Sequence, residues 1–127
     1  MKIITLFQNI LIVFNILIAH KKSIESVYFS SEIKLVIKGT GQKNILYNSF
    51  TFEPSGVKIE GETKNCKKIC SFTKETNNVI IYYSNSINTC ENMFYLLQDI
   101  IEIDFSKFDF SKVISTKKMF YRYYHLF

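Results

Sequence analysis

The tripeptide Met93-Phe94-Tyr95 returns as Met119-Phe120-Tyr121, a step of 119 − 93 = 26 residues. On the same step Ile87 falls on Val113, Ile100 on Leu126, and Thr89-Cys90-Glu91-Asn92 on Ser115-Thr116-Lys117-Lys118. Apolar positions recur while those between them vary. A unit of this length cannot bury its apolar face alone and buries it against a neighbouring unit, so the spacing predicts a repeat architecture.

Between the two copies, Ile100-Ile101-Glu102-Ile103-Asp104-Phe105 alternates in the period of a strand, and Asp-Phe-Ser-Lys follows twice, at 104–107 and 109–112. Asp104 with Ser106, and Asp109 with Ser111, place side-chain oxygens where they can accept from nearby backbone N–H groups and close a bend. This stretch resembles the BspA-like leucine-rich-repeat surface proteins. Their unit runs Met-Phe, a short segment, then Leu-x-x-Ile-Asp-Leu-Ser-x-Phe-Asp-x-Ser-x-Val. The residues that match are Met93, Phe94, Ile100, Ile103, Asp104, Phe105, Ser106, Phe108, Asp109, Ser111, Val113, Met119 and Phe120. Where the family carries Gly-Cys or a similar small pair, this chain has Leu96-Leu97 and Arg122-Tyr123.

The resemblance covers 87–127, about one and a half units, and implies a short or truncated member of the family. The expected fold is α+β or β-rich: a small N-terminal β cap over 27–86 followed by a short leucine-rich-repeat solenoid. Met93, Phe94, Ile100, Ile103, Phe105, Phe108, Val113, Met119 and Phe120 are its expected ladder, and Glu102, Lys107 and Lys112 its expected binding face. The implied function is non-enzymatic adhesion or extracellular recognition through the solenoid face, toward an extracellular protein or glycan. The alternatives are a compact lectin-like β module over 27–86 with a vestigial repeat, and a fragment of a longer surface protein.

The cap is read from strand-like runs at 33–37, 57–60 and 79–83, separated by Gly39-Thr40-Gly41, Pro54-Ser55-Gly56, Gly61 and Asn77-Asn78, residue types that accept bends. Ahead of it, 3–19 is an apolar run after Lys2 and before His20-Lys21-Lys22. It reads as a signal peptide ending near Ala19, or as an uncleaved signal anchor, which would be the chain's only membrane association. The expected location is therefore secreted or cell-surface.

In an oxidising compartment Cys66, Cys70 and Cys90 predict one disulfide and one leftover thiol. Either Cys66 or Cys70 pairs with Cys90, or Cys66 pairs with Cys70. A metal site has too few ligands, because the spacing is Cys-x-x-x-Cys and the histidines are only His20 and His125. His125 is also the only imidazole outside the leader, so nucleophilic catalysis lacks an organised base. Gly39-x-Gly41 lacks the further glycine and lysine of a phosphate loop. No catalytic residue, metal or cofactor is expected. The net charge of +5 is spread over Lys64, Lys67, Lys68, Lys107, Lys112, Lys117, Lys118 and Arg122, a pattern that suits an anionic surface better than nucleic acid.

Overall fold

The computed structural model describes residues 31–123, which form seven strands and no helix. The leader at 3–19, His20, His125 and the repeat position Leu126 lie outside the described residues. The strands are β1 (Ser31–Lys38), β2 (Gly41–Asn44), β3 (Gly56–Ile59), β4 (Glu62–Lys64), β5 (Ile69–Phe72), β6 (Thr76–Tyr83) and β7 (Ile100–Asp104). Five make one antiparallel sheet in the order β4-β3-β6-β1-β7, and β2 and β5 make a second antiparallel pair.

Alternation explains the sheet. Ser31, Ile33, Leu35 and Ile37 of β1 point inward beside Asn77, Val79, Ile81 and Tyr83 of β6 and Val57 and Ile59 of β3. Cys70 and Phe72 of the second sheet join the same core, as do Ile45, Leu46, Phe50, Met93 and Phe94. Each buried aliphatic or aromatic side chain contributes roughly 1.5–3 kcal/mol of transfer free energy. The opposite face of the large sheet is mixed. There Lys34 stands across from Ile80 on one side and Asp104 on the other, and the Lys58 ammonium lies 5.8 Å from the Tyr82 ring.

Gly56 faces Tyr82 across the β3–β6 ladder, and a Cβ there would enter the Tyr82 ring. The glycine is required because an aromatic ring covers its backbone. At Gly39 and Gly41 the requirement is conformational: φ of 88° and 84° turns the chain from β1 into β2.

The expected α+β solenoid is not the fold. The described residues are all β, in two antiparallel sheets. A solenoid strand pairs in parallel with its equivalent one coil away, whereas β7 pairs antiparallel with β1, Leu35 opposite Ile103 and Val36 opposite Glu102, with a bulge between Val36 and Ile37. The physical reason is the free edge of β1. With β6 on one side, its other edge carries N–H and C=O groups that β7 pairs, and burial of Ile100 comes with that pairing. The large sheet therefore runs across residues 86 and 87, where the cap was expected to end.

Asn77-Asn78, expected to punctuate a bend, lies inside β6. Asn77 is buried, donates to the carbonyls of Lys74 at 2.7 Å and Gly39 at 3.2 Å, and accepts from the Lys74 N–H at 3.3 Å. Its amide ties the bend before β6 to the turn after β1.

Candidate functional site

The 26-residue step survives as a pair of stacked loops. In the first, the N–H groups of Met93, Tyr95 and Leu97 donate to the carbonyls of Cys90, Asn92 and Phe94 at 3.1, 3.1 and 3.3 Å. In the second, Met119, Tyr121 and Tyr123 donate to Thr116, Lys118 and Phe120 at 3.1, 3.2 and 3.0 Å. Left-handed backbone recurs at the same positions: Asn92 (φ 59°) with Lys118 (54°), and Leu96 (60°) with Arg122 (56°).

These turns direct every second N–H along the stacking direction. Cys90, Asn92, Phe94 and Leu96 donate to the carbonyls of Ser115, Lys117, Met119 and Tyr121 at 2.9, 3.1, 3.0 and 3.0 Å. Rings follow the backbone: Phe94 stacks on Phe120 with centroids 6.0 Å apart, and Tyr95 on Tyr121 at 5.1 Å.

The two ends of this stack differ. On the first loop's outer side, Tyr47 donates its N–H to the Met93 carbonyl at 2.9 Å and sets its ring 4.9 Å from that of Tyr95. Residues 45–50 thus cap that end, held by Lys68, whose ammonium donates to the carbonyls of Phe50 at 2.5 Å and Asn48 at 3.0 Å. On the second loop's outer side, the N–H groups of Thr116, Lys118, Phe120 and Arg122 meet no acceptor among the described residues. They are the equivalents, 26 residues on, of the four that hold the loops together.

Beside this open row lies a groove of about 630 Å³ lined by Phe105, Phe110, Thr116, Lys118, Met119, Phe120 and Tyr121. Phe110 and Tyr121 are exposed, and Ile114 is 87% exposed, so the apolar surface here is uncovered. The ammonium of Lys118 and the guanidinium of Arg122 lie 5.9 and 5.6 Å from the Tyr121 ring. No family model, curated protein or solved structure matches this chain.

The residues expected to form the ladder divide between core and groove. Met93, Phe94, Ile100, Phe108 and Met119 are buried, while Ile103, Phe105, Val113 and Phe120 are partly buried. Asp104 Oδ1 accepts from the Ser106 N–H at 2.7 Å and Asp109 Oδ1 from the Ser111 N–H at 2.9 Å. The backbone N–H of Ser106 holds the Asp104 carboxyl below the usual carboxylate range, and the Ser111 hydroxyl does so for Asp109. Of the expected binding face, Glu102 is exposed opposite Val36, Lys107 lies 3.8 Å from the Glu32 carboxylate, and Lys112 is exposed beyond the second Asp-x-Ser bend. The three are not brought into one site by a shared contact.

Cys66 and Cys70 form a disulfide, and Cys90 is a buried free thiol. Burial pushes the Cys90 thiol up to about 11. Burial also raises the Tyr83 hydroxyl far above its ordinary range, with nearby Cys90 as a lesser cause. The lysine cluster before Cys70 serves structure: Lys64 pairs with Glu62 at 2.7 Å, Lys67 donates to the Pro54 carbonyl at 2.9 Å, and Lys68 holds the cap. No set of three His, Cys, Asp or Glu side chains among the described residues is placed to hold a metal.

Neither the cap at 45–50 nor the open N–H row is among the expectations drawn from the sequence. Leu46-Tyr47 repeats the apolar-Tyr pairing of Phe94-Tyr95 and Phe120-Tyr121, which is a usable signal for the cap. The N–H row is a property of the backbone and has no side-chain signature.

Proposed function

We propose that this chain is an exported, non-enzymatic recognition protein that binds an extracellular protein or glycan surface through the open end of its repeat. The observation that carries the reading is the uncovered apolar groove at Phe105, Phe110, Phe120 and Tyr121, with cations at its rim. An exposed apolar surface with oriented polar groups is characteristic of binding sites. Export is supported by the apolar run 3–19 and by the Cys66–Cys70 disulfide, a bond that persists in oxidising compartments. Adhesion is suggested by the resemblance to BspA-like surface proteins, which the recurrence of turns and rings on the 26-residue step supports.

The test has two arms. Cells expressing the tagged full chain are assayed for surface or medium accumulation, with thiol labelling of Cys66 and Cys70. The purified exported protein is then assayed for binding to whole cells, beside Phe110→Ser. Export with the disulfide intact, and cell binding weakened by Phe110→Ser, is the expected result. Retention inside the cell with both cysteines reduced would remove the reading.

A further inference from the structure

We infer that the open end of the repeat takes an acidic polypeptide segment, which pairs its backbone carbonyls with the N–H row and places an apolar side chain in the groove. The inference rests on the recognition reading above and names the partner's chemistry.

The row itself selects the acceptor. Four N–H groups, those of Thr116, Lys118, Phe120 and Arg122, stand without an acceptor among the described residues, where their equivalents in the first loop receive four carbonyls from the second. A face of donors cannot pair with an identical face, which excludes a symmetric dimer through this end. On the first loop's carbonyl side Tyr47 takes the Met93 carbonyl and sets its ring on Tyr95, so a second copy stacking there in the register of the repeat would have to displace it. The row calls for an occupant that offers carbonyl oxygens, in the manner of main-chain addition to an open edge.

Charge and lining narrow it further. Residues 110–123 hold Lys112, Lys117, Lys118 and Arg122 and no Asp or Glu. None of these four cations forms a salt bridge among the described residues, whereas Lys43, Lys64, Lys74 and Lys107 do. Lys112 lies in the field of the Asp109 carboxylate, whereas Lys118 and Arg122 stand over the Tyr121 ring beside the donor row, and two such cations favour a segment rich in carboxylates. Phe105, Phe110, Met119 and Phe120 supply the apolar wall for a Leu- or Phe-sized side chain. A sulfated glycan would satisfy the cations but not the apolar wall.

The experiment titrates the full exported chain against a fluorescent peptide alternating Glu with Leu and Phe, a Lys-for-Glu counterpart and a sulfated oligosaccharide. Lys118→Gly with Arg122→Gly removes two rim cations at positions of left-handed backbone, where glycine fits better, so folding is preserved or improved. The acidic peptide is expected to bind more weakly as salt rises, and about tenfold more weakly to the double variant. Phe110→Ser should also reduce binding; its ring packs on Phe105 and Phe108, so the thermal midpoint is recorded beside it, and the glycine double variant decides the outcome if that midpoint falls. Equal binding of the Lys peptide, binding of the oligosaccharide alone, or no peptide binding overturns the inference. Cell binding that persists in both variants would overturn the acidic-segment inference and the assignment of recognition to this groove, while leaving recognition elsewhere on the chain standing.

Discussion

At the scale of single residues, two equivalent side chains of the stacked loops sit on left-handed backbone. Leu96 and Arg122, related by the 26-residue step, have φ of 60° and 56°. An L side chain there costs roughly 1–2 kcal/mol, a penalty glycine does not bear. Leu96 is 41% exposed, so little burial is lost on its removal. Leu96→Gly is expected to raise stability by about 1 kcal/mol, seen as a higher thermal midpoint by circular dichroism. A lower midpoint would mean that Leu96 packing outweighs the backbone. Cys90 supplies a second prediction. Its thiol ionises near 9 when unfolded and about 11 when folded, so its contribution is intact below pH 9 and declines as pH rises toward 11. Native protein should leave Cys90 unreactive to a thiol reagent at neutral pH and release one reactive thiol in denaturant. Cys90→Ala should flatten the stability loss between pH 9 and 11.

At the scale of elements, β3 and β6 meet through a residue with no side chain. Gly56→Ala displaces the Tyr82 ring and is expected to cost roughly 1–3 kcal/mol, measured as a lower urea midpoint with an unchanged slope. An unaltered midpoint would show that the ring moves freely. Strands rich in apolar residues are legible in the amino-acid sequence: the cores of β1, β3, β6 and β7 fall within runs that are apolar or alternate with period two. By contrast Gly41–Asn44 and Glu62–Lys64 have no apolar alternation, and they are strands because β5 and β3 pair with them. Asn77-Asn78 reads as a bend by residue type, yet a buried amide partnered on both sides places it inside a strand. The groove was partly legible, since Phe105, Met119 and Phe120 belong to the repeat. Its donor row was not, because alternate N–H direction depends on backbone conformation.

At the scale of the whole molecule, the repeat is joined to the sheet. Removing the chain after Ser86 takes away β7 and the buried Ile87, Met93, Phe94 and Ile100. At roughly 1.5–3 kcal/mol each, their loss is comparable to the 5–15 kcal/mol that holds a typical domain folded. The truncated chain should show no cooperative thermal transition. A sharp one would establish 27–86 as an independent module and revive the lectin-like alternative. The position of β1 has a kinetic consequence. Leu35 pairs with Val79, 79 − 35 = 44 residues on, and with Ile103, 103 − 35 = 68 residues on. The first strand is thus the centre of a sheet whose flanks are made late, and contacts this distant in sequence close slowly. A chain threaded through a membrane from its N-terminus would emerge with one edge of β1 unpaired until Asp104 had crossed, so its sheet would be completed on the far side of the translocation step.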